Sequence, residues 1–252
     1  MNLRNELSGK IKLVLIVGML LLSAAWVVFA NPDPIAVPTN GVVTTNSSHR
    51  GMGTPMAVDL IAGNITEVNI TADSITQSWA GIVGNVSATL VLDDSALKTL
   101  YDWTAASPTG EVYAANVSNI LWTSGNIKCI GLAANATLLN KAFGISAGDA
   151  DNVSKTFSDS TSHNAFSAGA NAFNIGDCAA VQLNNETQTR SSNWQEILLY
   201  DNTRKVPVYT SLIKQNTLGY NNERYDFEMI VLENGHAGNA AVTNYYFYLE
   251  LA

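Results

Sequence analysis

The chain has 252 residues, with 13 Lys+Arg against 21 Asp+Glu and a formal charge of −8. That balance argues against nucleic acid and against an anionic membrane surface as partners, because both are held mainly by Lys and Arg. Hydrophobic residues make up 47% of the chain, enough for a sizeable core, so a charged fraction of only 13% does not describe a disordered protein.

Residues 1–30 read as a targeting segment. Arg4, Lys10 and Lys12 form a basic head, residues 13–29 are an almost wholly apolar run, and Val28 and Ala30 place small residues at the −3 and −1 positions of a cut between Ala30 and Asn31. The run also approaches the ~20 residues of a spanning helix, so an uncleaved N-terminal anchor is the competing reading. Its basic flank would then stay in the cytoplasm. Both readings put residues 31–252 outside the cell, with membrane contact only through residues 13–30 if the cut is not made. Without Arg4, Lys10, Lys12 and Glu6, the exported part carries 10 Lys+Arg against 20 Asp+Glu, a formal charge of −10.

Residues 31–56 read as an extended N-terminal arm. Pro32, Pro34 and Pro38 remove ladder donors, and 41–45 is a short candidate strand. Residues 57–252 read as one domain. Val86, Ala88, Leu90 and Leu92 alternate with polar residues, as do Tyr225, Phe227, Met229 and Val231. The last strand sets Tyr245, Phe247, Leu249 and Leu251 against Tyr246, Tyr248 and Glu250. Further strands are expected over 64–71, 75–83, 109–114, 119–123, 127–131, 164–174, 178–183, 195–201 and 206–214, separated by turn residues such as Gly84-Asn85, Asp93-Asp94-Ser95 and Ser124-Gly125-Asn126. Helix is expected over 135–143, with a second turn near 149–156. The fold class that follows is all-β: an antiparallel β-sandwich, Ig-like or jelly-roll-like, with a short helical insert, preceded by a signal helix.

Outside the cell, Cys129 and Cys178 are expected to form one disulfide rather than remain buried thiols. Eight Asn-x-Ser/Thr sequons, at Asn46, Asn64, Asn69, Asn85, Asn116, Asn135, Asn152 and Asn185, are candidate glycosylation sites. Asn85, Asn135 and Asn185 fall in expected turns.

No catalytic residues are assigned, and the chain is not read as an enzyme. Gly144-Ile145-Ser146-Ala147-Gly148 matches a nucleophile-elbow spacing but lacks the strand–turn–helix setting that gives the spacing meaning. His49, His163 and His236 lie in polar, loop-like stretches and read as solvated. No cofactor is expected and no metal site is assigned; the oxygens of Asp149, Asp151 and Asn152, or of Asp93 and Asp94, offer at most a loose calcium site. Trp79, Trp103, Trp122, Trp194, Tyr101 and Tyr113 are expected in the core, whereas Tyr246 and Tyr248 should face another layer, another subunit or solvent.

Trp79–Ser87, Tyr101-Asp102-Trp103, Gly110–Ala114, Tyr225–Val231 and Tyr245–Leu251 resemble stretches of a group of exported archaeal surface proteins to which no biochemical activity attaches. In architecture the chain is similar to archaeal thread and bundling-pilus subunits, which are secreted, glycosylated β-sandwiches joined by an N-terminal strand that completes the next subunit. The resemblance implies a structural or adhesive surface protein, a filament or pilus subunit assembled by strand complementation, with self-assembly or other cell-surface proteins as partners. The alternative is an extracellular module that binds glycans or proteins through exposed aromatics.

Overall fold

The computed structural model describes residues 33–38, 41–44, 46–51, 54–105, 108–159, 163–234 and 241–251. The expected signal segment 1–30 and the cut between Ala30 and Asn31 lie outside the described residues, as do Thr45 at the end of the candidate strand 41–45 and His236.

In chain order the strands are β1 (Ile35–Ala36), β2 (Trp79–Gly84), β3 (Ala88–Asp93), β4 (Thr99–Ala105), β5 (Gly110–Ala115), β6 (Ile127–Cys129), β7 (Phe166–Ala168), β8 (Asn171–Phe173), β9 (Ala180–Asn184), β10 (Arg190–Asp201), β11 (Val206–Leu212), β12 (Thr217–Leu218), β13 (Arg224–Tyr225), β14 (Phe227–Leu232) and β15 (Tyr246–Leu251). Helices α1 (Asn135–Ala142) and α2 (Val153–Thr156) stand between β6 and β7. The fold is all-β, antiparallel and sandwich-like, as the alternation of the sequence requires. Among the described residues no helix is long and apolar enough to cross a membrane.

A seven-stranded sheet in the order β1-β15-β5-β11-β10-β6, with β9 also on β10, forms the middle of the molecule. Its central strands are buried on both faces. Val112 and Ala114 of β5, Leu198 and Tyr200 of β10 and Tyr209 of β11 enter one core. Their neighbours Tyr113 and Ala115, Ile197 and Leu199, and Val208 enter a second. Strands covered on both sides read as continuous apolar runs, which is the character of Ile197–Tyr200. The first core is covered by the β2–β14 ladder and by α1 and α2; the second is covered by the β7–β8 hairpin and by Ile120 and Trp122.

Strands β6 and β9 lie end to end on one edge of β10: Cys129 pairs with Leu199, and Ala180 pairs with Ile197. The Cys129–Cys178 disulfide joins them across a Cα–Cα distance of 4.9 Å. Between the two cysteines the chain leaves the sheet, covers the first core with α1 and α2, and covers the second with β7–β8. Asn140 Oδ1 accepts from Val153 N–H at 3.0 Å and ties the two helices together.

Several local expectations change. No strand forms over 119–123, because Asp201, fully buried at the end of β10, takes that loop as part of its hydrogen-bond shell. Its carboxylate accepts from Leu121 N–H at 2.9 Å, Asn126 Nδ2 at 2.9 Å, and the N–H groups of Thr203 and Arg204. Burial alone would raise the Asp201 pKa; the donors of Arg204, Leu121, Asn126 and Thr203 outweigh it and hold the group below its usual range. Residues 64–71, expected as a strand, pair with no described residue: 54–77 is exposed throughout and holds only a turn, Asn64 N–H to Ile61 O at 3.2 Å. The arm is not free over its whole length, since Ile35 and Ala36 pair with Leu249 and Tyr248 of β15, whereas 41–44 is exposed. Residues 99–105, for which no strand is expected, pair with β3.

Closing a loop of 49 residues restricts the unfolded chain by about 4 kcal/mol in the chain-entropy model. Reduction, or Cys129→Ser with Cys178→Ser, is therefore expected to lower unfolding stability by about 2–4 kcal/mol. Guanidinium titration with and without reductant measures this; an unchanged midpoint would show that the excursion is held by its packing alone.

Candidate functional site

The sequons divide by exposure. Asn46, Asn64, Asn69 and Asn85 are exposed, and Asn116 and Asn135 are half-buried. Asn185 sits in a turn where its Oδ1 accepts from Thr187 N–H and from the Thr187 hydroxyl of its own sequon, the latter at 2.8 Å, so the turn engages its oxygen rather than its amide nitrogen. Asn152 differs. It is buried and caps α2, with Oδ1 accepting from Lys155 N–H at 3.0 Å and Nδ2 donating to Ala147 O and Asp149 O. A sugar on that amide would displace the cap.

Ser146 lies in a turn after α1, its N–H donating to Asp149 Oδ2, rather than on a strand-to-helix elbow. His163 is not solvated as expected. It is 1% exposed, packs edge-on against Phe166, and accepts Cys178 N–H at Nε2 while its Nδ1 faces Asn164 O. The acidic stretch around Asp149 already holds an ammonium, because Lys155 Nζ donates to Gly148 O and Asp149 O. Asp94 caps its own turn by accepting from Ala96 and Lys98 N–H. Among the described residues no group of three His, Cys, Asp or Glu side chains is placed to hold a metal ion.

Trp122, Trp194 and Tyr113 are buried, and Trp79 packs on Phe157. Tyr248 is buried too, edge-on to Trp122 in the second core, so of the two outward tyrosines only Tyr246 meets solvent. Tyr101 and Trp103, expected in the core, depart from expectation. They lie on the β3–β4 hairpin, opposite Leu92 and Leu90, and all four are about half exposed. The hairpin thus presents an apolar face with no described residue over it.

The outer ladder β2–β14 has two unlike edges. Glu233 N–H bonds Ser78 O in the ladder register, so the odd residues of β14 bond the even residues of β2. The backbone groups of the even residues of β14 therefore turn the other way, where side chains from the sheet beneath satisfy most of them. Ile230 N–H donates to Glu196 Oε2 at 2.7 Å, Leu232 N–H reaches Tyr209 Oη, Tyr245 Oη donates to Leu232 O at 2.5 Å, and Ser211 Oγ donates to Glu228 O. On the opposite edge, the N–H and C=O groups of Trp79, Gly81 and Val83 point outward, and among the described residues they bond nothing. Trp79, Ala80, Ile82 and Val86 pack against the first core and remain partly exposed beside that edge.

On the second-core side of the sheet, the arm docks beside a cluster of acids. Glu111 and Glu250 stand directly opposite each other on β5 and β15, 7% and 4% exposed. Tyr113 Oη lies 2.6 Å from Ser167 O and 2.7 Å from Glu250 Oε2, and Gly169 N–H donates to that same oxygen at 2.9 Å. The Tyr113 hydroxyl is placed to donate to either oxygen, and its contact with Glu250, like that of Gly169 N–H, favours the carboxylate form against its burial. Burial, reinforced by Glu250, pushes Glu111 up to about 8; burial and the Asp33 charge push Glu250 up. Asp33 Oδ1 lies against Gly169, whose φ of +57° and crowding by Trp122 leave no room for a side chain. Burial also raises Glu196 and Glu228.

None of these groups stands out in the sequence. Glu111, Glu196 and Glu250 each occupy an ordinary strand position, and only the pairing register brings two of them face to face. Searches of family models, curated proteins and solved structures find no match to the chain.

These carboxyls bind protons more tightly folded than unfolded, so between the ordinary value of 4.5 and about 8 the folded state holds more protons. Stability then falls as pH rises through that window. Thermal unfolding is expected to drop by several degrees from pH 5 to pH 8, and Glu111→Gln should flatten the slope. A melting temperature that rises over this range would refute the protonated pair.

Proposed function

We propose that this chain is an exported, asparagine-glycosylated structural protein of a cell surface, built to associate with further copies of itself as a filament subunit. The observation that carries the reading is the outer edge of β2, unpaired among the described residues, in a molecule whose other outer edge is largely satisfied by side chains and whose β15 is paired by its own arm. An open edge adds strands through main-chain hydrogen bonds, which gives directional contacts without a dedicated pocket. The leader-like residues 1–30, the disulfide and the exposed sequons support a location outside the cell. Asn46, Asn64, Asn69, Asn85 and Asn185 are the acceptors we assign; Asn152 is left out because its amide is occupied.

A second reading, adhesion to glycans or other proteins, draws on the exposed Tyr101 and Trp103 rings, whose centroids are 4.7 Å apart. Stacking on a sugar face would use these two residues rather than the buried Tyr248. In a glycan array this reading expects binding that is lost in Trp103→Ala, and an array without signal would remove it.

For the leading reading, intact mass and electron microscopy of native material are expected to show an N-terminus at Asn31, one bridge, added sugar mass and filaments. Native protein recovered from the cell interior, starting at Met1 with reduced thiols and no sugar, would overturn it.

A further inference from the structure

The segment just before β2 has the composition of a strand and the surroundings of none. Thr66, Val68 and Ile70 fall on one side of an extended chain, with Ile65, Glu67, Asn69 and Thr71 on the other, the period-two pattern of a half-buried strand. Yet residues 64–71 are exposed throughout, Ile70 by 86%, and among the described residues no hydrogen bond links them to another strand. Its neighbour β2 has the complementary deficit: outward N–H and C=O groups that bond no described residue, beside side chains of the first core that are only partly covered.

We infer that the outer edge of β2 takes residues 64–71 of a second copy of this chain as an added strand. This rests on the self-associating role proposed above and names its two surfaces. Four features favour the second copy. Every copy carries both a strand-patterned segment and an edge that are unpaired among the described residues, and within one copy the two do not meet. The donor run, 64–71, is long enough for the six residues of β2. With Val68 and Ile70 turned inward beside Ala80 and Ile82, Asn69 turns to solvent, so a sugar on it is compatible with pairing. Finally, Thr76 Oγ1 and Trp79 Nε1 both bond Asp151, at 2.5 and 2.7 Å, which anchors the root of the donor segment to its own body while leaving 64–71 free to reach another. Donor and acceptor are different surfaces, so the contact is head-to-tail and each added copy presents a fresh edge.

The test uses the full exported chain, residues 31–252. Val68→Lys with Ile70→Lys removes the donor at exposed positions that the fold does not use. Gly81→Pro removes an outward N–H of the acceptor and leaves the β14 side of the ladder its bonds. Wild-type protein is expected to give a series of oligomers by light scattering after size separation, and each variant alone to give monomers. An equimolar mixture of the two variants should stop at dimers, because only one productive contact remains. Hydrogen exchange supplies a readout independent of the proline variant: the amides of Trp79, Gly81 and Val83 should be protected in wild-type oligomers and exchange at least ~100-fold faster in the Val68→Lys/Ile70→Lys monomer. Oligomers that survive Val68→Lys/Ile70→Lys, or equal protection of the β2 amides in both states, would overturn the inference. So would a wild-type monomer in which 64–71 is protected by folding back on its own β2. Oligomers that persist in Val68→Lys/Ile70→Lys sink this inference alone, whereas an exported protein that stays monomeric, or reduced, unglycosylated protein inside the cell, sinks the preceding reading as well.

Discussion

The disulfide between β6 and the start of β9 governs how the rest of the molecule closes. Strand β10 is the centre of the fold, buried on both faces over its second half, and its free edge is filled by two short strands laid end to end. Neither β6, with three residues, nor the first residues of β9 would hold an edge well alone. Joining them at Cys129 and Cys178 turns two weak edges into one continuous border. It also fixes both ends of the excursion that lids both cores: Ile130, Ala136, Leu139, Val153 and Phe157 on one face, Phe166 and Phe173 on the other. His163, held against Cys178 N–H, continues that border inward.

Much of this is legible because strand periodicity and turn residues act locally. β5, β9, β10, β11, β14 and β15 fall close to the runs of alternating or continuous apolar residues that announce them, and α1 and α2 lie where helix is expected. The misreadings share one cause: the sequence shows which residues are apolar or polar, but not which partner is available. Residues 119–123 carry a strand-like pattern, yet the Asp201 carboxylate captures Leu121 N–H and bends them into a loop. For Tyr248 the alternation of β15 leaves open whether another layer, another subunit or solvent lies opposite, and the second core supplies the layer.

The candidate site is the least legible part. An unpaired strand edge has no sequence signature, because it is defined by what is not beside it. The sealed edge of β14 is equally hidden. Its donors Ile230 and Leu232 find Glu196 and Tyr209, which lie 34 and 23 positions earlier and whose polar atoms reach across from the sheet beneath. Tyr101 and Trp103 show the reverse limit: two aromatics read as core stand half in solvent because nothing described packs over their hairpin.

Closing the β14 margin with side chains rather than with another strand has a geometric consequence. A ladder open on both margins has two valences and can stack sideways into broad sheets, the route by which exposed strands template aggregation. Here a buried carboxyl and two phenols occupy most of one margin, and an incoming backbone would have to compete with hydrogen bonds already made to the layer below. Among the described residues the outer layer therefore leaves one margin, not two, to an added strand, a geometry that favours a line over a broad sheet.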